Sequence, residues 1–190
     1  GSEVNGVMER LGAEGLRVLA VATKELPAEW DGDPEAELSD LVLCGLIGIL
    51  DPPREEAAVA IGECRDAGVA VKMITGDHAT TAQAIARQLG LEGEVVTGAQ
   101  LDAMDDDQLA RRIGGIGVCA RVSPEHKVRV VRALQANDEI VAMTGDGVND
   151  AAALRRAEIG VAMGITGTEV TKEAGDLVLA DDNFATIVVA

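Results

Sequence analysis

The stretch Thr144-Gly145-Asp146-Gly147-Val148-Asn149-Asp150 follows the apolar segment 140–143, whose composition is typical of a buried strand. A related turn, Thr75-Gly76-Asp77, follows a second apolar segment, 69–74. Each turn places a hydroxyl, a flexible glycine and a carboxylate directly after a strand. A hydroxyl and free backbone N–H groups can hold a phosphoryl oxygen in such a place. A lone Thr-Gly-Asp is a common turn, but copies at equivalent strand ends indicate a shared site.

Strands and helices alternate along the chain around these two turns. The pattern predicts strands at 18–23, 41–50, 69–74, 94–96, 117–121, 140–143, 159–162 and 177–179. It predicts helices near 3–11 and at 54–67, 79–89, 102–113, 124–135 and 149–156, with Gly68 and Gly90 in left-handed positions after two of them. This alternation is typical of an α/β fold with a doubly wound, mostly parallel sheet. Ligands bind such sheets beyond the carboxyl ends of the strands.

The second turn carries candidate ligands for a small cation. Asp146, Asn149 and Asp150 present hard oxygen atoms on one short loop, and Mg²⁺ prefers one or two carboxylates together with water and phosphate. The alternative is that Asn149 or Asp150 only caps the following helix, and both interpretations can hold together. Because two close carboxylates need a cation or a raised pKa to coexist, we favour a metal site.

The segment 120–127 contains a positively charged side chain, Lys127, that could contact a phosphoryl group. Ser123 and Pro124 are typical of a helix start, which places Lys127 in the first turn, where a positive charge opposes the helix dipole. An unfavourable position suggests another use, such as neutralising a phosphoryl group; the alternative is a solvent-exposed lysine. We interpret the neighbouring His126 as a packed or exposed imidazole rather than a catalytic one. The acidic run 105–107 is interpreted as a solvated helix start.

The composition excludes several classes of binding surface. The chain has 190 residues, of which 33 are acidic and 16 basic, for a formal charge of −17 that would repel nucleic acid and anionic membranes. Its aromatic residues, Trp30 and Phe184, provide no stacking platform for single strands. We therefore expect no nucleic-acid partner. Three separated cysteines and two isolated histidines argue against a disulfide framework or a zinc site.

Both ends of the chain look cut. Gly1-Ser2 without an initiator methionine resembles a cloning scar, and the apolar segment 186–190 has no cap or stop signal. The longest apolar run, 41–50, is half of the length that spans a bilayer. We expect a soluble piece excised from a longer protein. A change of pattern around the acidic loop 31–35 predicts one unit at 1–39 and the main domain at 40–190.

Several motifs in a fixed order identify a family. They are Asp51-Pro52-Pro53-Arg54, 73–77, 120–127, 143–150, 159–164 and 181–184. This set closely resembles the phosphorylation domain of P-type cation-transporting ATPases over about residues 40–190, and 15–23 resembles the last strand of their nucleotide-binding domain. The Asp-Pro-Pro-Arg and Ser-Pro-Glu-His-Lys forms are most similar to bacterial calcium pumps and the wider sodium/calcium group.

The resemblance implies a haloacid-dehalogenase-like fold and ATP-driven cation transport through an aspartyl-phosphate, with Mg²⁺ and ATP as cofactors. It implies a cell-membrane protein anchored through segments absent here, with this part on the cytoplasmic side. The residue roles that it implies are metal binding by Asp146 with Asn149 and Asp150 close by, phosphoryl contact by Lys127, Thr75, Gly76 and Asp77, nucleotide contact by Arg17 and Arg121, and an interdomain hinge at Asp51, Pro52, Pro53 and Arg54.

One departure from the family is decisive. The family's nucleophile is the aspartate of Asp-Lys-Thr-Gly-Thr, and none of the lysines here follows an aspartate. That motif lies upstream in the family, so we expect truncation to explain its absence and the fragment to be inactive. The fold should then lack its first central strand, between the strands ending at Thr75 and Thr144. We expect this slot to be filled, either by 18–23 or by the same segment of a second copy in a strand-swapped homodimer.

Two other functions compete with this one. An autonomous phosphatase of the same fold needs a nucleophilic aspartate on a leading strand, and hydrolysis of a generic phosphate ester would favour it. A non-catalytic interaction module would keep its partner when Asp146, Asp150 and Lys127 are replaced by alanine.

Overall fold

The computed structural model describes residues 2–49 and 52–189. Two short 3-10 helices occupy Pro34–Glu37 and Ile113–Gly115. The remaining elements, in chain order, are α1 (Ser2–Ala13), β1 (Arg17–Thr23), β2 (Val42–Ile49), α2 (Glu55–Asp66), β3 (Met73–Ile74), α3 (Ala79–Gln88), β4 (Glu94–Thr97), α4 (Gly98–Asp102), α5 (Asp106–Arg112), β5 (Ile116–Ala120), α6 (Pro124–Gln135), β6 (Ala142–Gly145), α7 (Ala151–Arg156), β7 (Ile159–Met163), α8 (Glu169–Ala174), β8 (Leu177–Leu179) and α9 (Ala185–Val189).

The parallel strands form two separate three-stranded sheets, in the orders β3-β5-β4 and β6-β7-β8. Ile74 of β3 lies opposite Cys119 of β5, and Met143 of β6 lies opposite Gly160 of β7. The predicted α/β class with a mostly parallel arrangement is confirmed. Within the described ranges, β3 and β6 belong to different sheets, and these are the two strands that the sequence predicts on either side of a missing one.

The first strand has a different partner from the one predicted. β1 pairs with β2 in an antiparallel ladder that runs from Arg17 opposite Ile49 to Thr23 opposite Val42. The prediction that 18–23 fills the slot within its own chain is therefore wrong, because among the described residues this strand lies with β2 in a sheet apart from β3 and β6. The alternative, a segment from a second copy, stays a prediction. The predicted boundary between 1–39 and 40–190 falls between these two paired strands and stays a prediction.

Three clusters of buried side chains form the core. The first joins α4, α5, β5 and α6, the second joins α6, β6, α7 and β7, and the third lies between α3 and β5. Val130 of α6 belongs to the first cluster and Val131 to the second. Ile74 and Leu134 pack against both. Helix α6 thus packs against both sheets and joins them.

Local sequence signals explain most element boundaries. Gly68 and Gly90 adopt φ of +78° and +69° after α2 and α3, which confirms the predicted left-handed positions. The single helix predicted at 102–113 is wrong, because Asp105 starts a new helix by accepting a hydrogen bond from the Gln108 N–H at 2.7 Å. The strand predicted at 69–74 is reduced to Met73–Ile74. Among the described residues, no helix has the length and apolar character needed to cross a bilayer.

Candidate functional site

The loop after β3 is tied to the chain that follows β5. The Thr75 N–H donates to the Cys119 carbonyl at 2.8 Å, and the Val122 N–H donates to the Thr75 carbonyl at 3.3 Å. The Arg121 N–H donates to the Asp77 carbonyl at 3.0 Å, with Arg121 in the left-handed region at φ 53°. These bonds bring the first Thr-Gly-Asp turn beside the start of α6, as expected for the carboxyl ends of neighbouring parallel strands.

The Thr75 hydroxyl is oriented by its own turn. Its Oγ1 accepts a hydrogen bond from the Asp77 N–H at 3.1 Å and donates to Asp77 Oδ2 at 3.0 Å. Gly76 is exposed and has open space where a Cβ would stand. The three residues therefore form a compact turn in which Asp77 orients the hydroxyl.

Asp150 is the centre of the second turn. Its side chain is buried, one carboxylate oxygen contacts the Lys127 ammonium, and the other accepts the Asp146 and Gly147 N–H groups at 3.2 and 3.0 Å. A Cβ at Gly145 would collide with the Asp150 side chain, so glycine is required there. Asp150 precedes α7 but makes no side-chain cap bond to it, so it stabilises the loop and orients Lys127 instead.

The residues fit a single small cation only in part. Asp146 and Asn149 are exposed, and within the described ranges no hydrogen-bond donor contacts the Asp146 carboxylate. Both oxygens of Asp150, in contrast, already have partners. Among the described residues, no cluster of three or more histidine, cysteine or acidic side chains could hold a metal. Asp146 therefore fits Mg²⁺ as a lone carboxylate ligand, with its other positions left to phosphate and water.

The two arginines predicted to contact nucleotide are in different places. Arg121 lies beside the Thr75 turn, with an exposed side chain. Arg17 lies on β1, opposite Ile49 of β2, in another sheet. No hydrogen bond among the described residues links Arg17 to the two turns.

The hinge motif contacts the far end of the chain. Asp51 lies outside the described residues. Arg54, directly before α2, donates from Nη1 to the Asp182 carbonyl at 3.0 Å. The Asp182 carboxylate accepts the backbone N–H groups of Ile165 at 2.9 Å and Thr166 at 2.7 Å, and also the Thr166 hydroxyl at 2.7 Å. The Ile165 bond above all, with the Thr166 bonds, lowers the pKa of Asp182 to about 2.

Sequence reasoning missed this role of Asp182 because its partners lie 16 and 17 residues away. It also missed the partner of His126. The imidazole is buried, and its Nε2 lies 2.7 Å from Asp102 Oδ1. The sequence left open whether this imidazole is packed or exposed, and the structure shows it buried. The acidic residues at 102 and 105–107 were the available signal for a partner.

Comparison with known proteins identifies the family of the chain. The profile of the haloacid dehalogenase-like hydrolases matches residues 3–158. The chain belongs to the haloacid dehalogenase-like hydrolase family. It is 50% identical to a calcium-transporting ATPase of Bacillus subtilis over 98% of its own length and 21% of that protein. It is 49% identical to a calcium-transporting ATPase of Listeria monocytogenes, over 95% of this chain and 21% of that protein.

A cation-transporting ATPase of Synechocystis is 48% identical over 97% of this chain and 21% of that protein. The resemblance to P-type cation-transporting ATPases that the ordered motifs indicate is thus confirmed. The chain spans about a fifth of the length of the curated relatives that it matches.

Proposed function

We propose that this chain is the phosphoryl-transfer part of an ATP-driven cation pump that works through an aspartyl-phosphate with Mg²⁺. One observation carries the proposal: the buried Asp150 carboxylate joins the loop after β6 to Lys127 at the start of α6. The Thr75 turn is hydrogen-bonded to residues 121 and 122, just before the same helix. The proposal places a hydroxyl, an ammonium and a free carboxylate around one phosphoryl group at the carboxyl ends of parallel strands, where ligands bind in sheets of this kind.

Each of these side chains has a distinct role in the proposal. The Lys127 ammonium, held by Asp150, balances the negative charge of a phosphoryl group. The Thr75 hydroxyl, which donates to Asp77 Oδ2 in this structure, exchanges that bond for one to a phosphoryl oxygen. Asp146 remains free to bind Mg²⁺, which when bound would neutralise charge on the phosphoryl oxygens. Asn149 is exposed on the same loop and would orient water around the cation. The acceptor aspartate is not among these 190 residues, and we assign it to another part of a longer protein.

The proposal extends to the wider organisation of that protein. Residues 1–39 would end a nucleotide-binding domain, 40–190 would form the phosphorylation domain, and 51–54 would be the hinge between them. Arg54 supports a fixed hinge end, because its guanidinium bonds to the Asp182 carbonyl. Arg17 and Arg121 would contact ATP when the two domains close. The pump would sit in the cell membrane with this part on its cytoplasmic side, and calcium is the proposed cargo.

A segment exchange tests the function. The corresponding segment of the Bacillus subtilis calcium-transporting ATPase, which is 50% identical, is replaced by residues 2–189 of this chain. Calcium-dependent, acid-stable label from γ-labelled ATP is then measured in membranes. We expect the chimera to be phosphorylated, and Asp146→Asn or Lys127→Met in the exchanged segment to lower the label at least about a hundredfold.

Lys172→Gln is the matched control, because among the described residues this lysine forms an ion pair only with its helix neighbour Glu169. It should leave the label unchanged. A well-expressed chimera that incorporates no label, or one in which Lys127→Met behaves like Lys172→Gln, would contradict the proposal.

A further inference from the structure

The His126 imidazole is a buried polar group with a defined proton position. Its exposed fraction is 8%. The Ser123 N–H donates to Nδ1 at 2.9 Å, and the Ser123 hydroxyl lies 3.2 Å from the same atom. Because an amide N–H can only donate, Nδ1 must be the acceptor, and the ring proton lies on Nε2. That proton is donated to Asp102 Oδ1, 2.7 Å away on α4. Two contacts therefore fix one neutral tautomer.

This ring holds the first turn of α6. Ser123 is the N-cap, and His126 occupies the third helical position, where glutamate or glutamine usually returns a hydrogen bond to the cap N–H. Lys127 is the next residue, and its own N–H donates to the Ser123 carbonyl at 3.4 Å. A lysine in a first turn opposes the helix dipole. The turn must therefore be held by other contacts if the ammonium is to keep its place against Asp150.

Close packing of α4 makes the Asp102 contact reachable. A Cβ at Gly98, the first residue of α4, would lie only 2.9 Å from His126 Cε1. The glycine thus lets the start of α4 lie directly against the ring, and Asp102 at the other end of this short helix reaches Nε2. Asp102 itself remains 68% exposed at its side chain, so water competes for this bond.

We propose that His126 is a positioning residue for Lys127, and that Asp102 sets its tautomer. The link from Lys127 to phosphoryl transfer rests on the proposed function, whereas the positioning itself does not. The charged groups around the ring are Asp102 from α4 and, on α6, Glu125 and Arg129; Asp106 from α5 pairs with Arg129. Arg129 is occupied by carbonyls of 101 and 104, and Asp102 is the carboxylate that contacts the ring.

Competitive acetylation of lysines in the complete 190-residue chain tests the positioning. Trace acetic anhydride is added to the folded protein, and the ratio of Lys127 to Lys172 labelling is read by peptide mass spectrometry. Lys172 is the internal reference, because it is far from α6 in sequence and, within the part of the chain that the structure describes, forms an ion pair only with Glu169. We expect His126→Ala to raise the ratio about tenfold, since the Ser123 N–H loses its acceptor. His126→Gln should keep the wild-type ratio, because glutamine restores the capping box.

The Asp102 contact provides an independent arm. Asp102→Ala should raise the ratio about threefold, and Asp102→Asn should not, because its amide oxygen still accepts from Nε2. A merely structural role for the ring would not give the rescue by His126→Gln or by Asp102→Asn.

The outcomes separate the inference from the proposed function. Equal ratios in the wild type and His126→Ala, or a ratio in His126→Gln as high as that in His126→Ala, overturn the inference. The same substitutions are then placed in the exchanged segment of the calcium-transporting ATPase. If the labelling behaves as expected but His126→Ala leaves phosphorylation of the pump unchanged, the functional link to Lys127 is overturned and the positioning stands.

Discussion

Replacing Asp150 with alanine should remove three contacts at once from a side chain that is 8% exposed. Lys127, itself 17% exposed, would lose its counter-charge, and the Asp146 and Gly147 N–H groups would lose their acceptor. Removing one partner of a buried ion pair costs about 3–5 kcal/mol. Lys127→Met should cost about 2 kcal/mol less, because the remaining carboxylate keeps two backbone donors worth about 1 kcal/mol each.

Urea unfolding followed by far-ultraviolet circular dichroism measures both changes. With a slope of about 2 kcal/mol per molar urea, a loss of 4 kcal/mol lowers the unfolding midpoint by about 2 M. Lys172→Gln provides a lysine control at a surface pair and should shift the midpoint by less than about 0.3 M. If Asp150→Ala lowers the free energy of unfolding no more than Lys127→Met does, the two loop amides do not depend on Asp150 and the reasoning is refuted.

Three further results are expected. Millimolar Mg²⁺ should shift the backbone NMR signals of residues 144–150 in the wild type and not in Asp146→Asn; an equal response would remove Asp146 as the ligand. Hydrogen bonds hold the pKa of Asp182 at about 2, below the unfolded value of about 3.9, so its carboxylate stabilises the fold above about pH 4 and this contribution is lost as the pH falls through 2. The melting-temperature difference between the wild type and Asp182→Ala should therefore shrink between pH 4 and 2, and a constant difference would count against the assigned hydrogen bonds. Finally, the isolated chain should bind ATP no better than millimolar by calorimetry and retain no acid-stable label from γ-labelled ATP, because it contains no acceptor aspartate motif; retained label would refute this.

The elements that the sequence predicted well carry their own start and stop signals. Helix α6 begins and ends where predicted, because Ser123 and Pro124 define its start. Strand β8 also matches its predicted bounds. The helix predicted at 102–113 failed because an apolar period continues through two helices, and the Asp105 cap that separates them was interpreted only as a solvated start.

The site was predicted in its composition more than in its contacts. The two Thr-Gly-Asp turns and Lys127 follow from local motifs, since each lies directly at a strand end or a helix start. Contacts between side chains depend on which elements pack together in space. Asp150 contacts Lys127, 23 residues away in sequence, and Asp102 contacts His126, 24 residues away. Periodicity contains no information on such pairs. The partner of β1 was missed for the same reason, because β2 follows it across a long acidic loop.

The division of the parallel strands into two sheets has a consequence for motion. One sheet is built from residues 73–120 and the other from residues 142–179. The hydrogen bonds between paired strands therefore lie within each half. Helix α6 lies between the two halves and packs against both. A small tilt of one sheet relative to the other about α6 would break no hydrogen bond between paired strands in either sheet. It would change the separation of Thr75 in one half and Asp146 in the other, so the width of the proposed phosphoryl site would follow the angle between the two sheets.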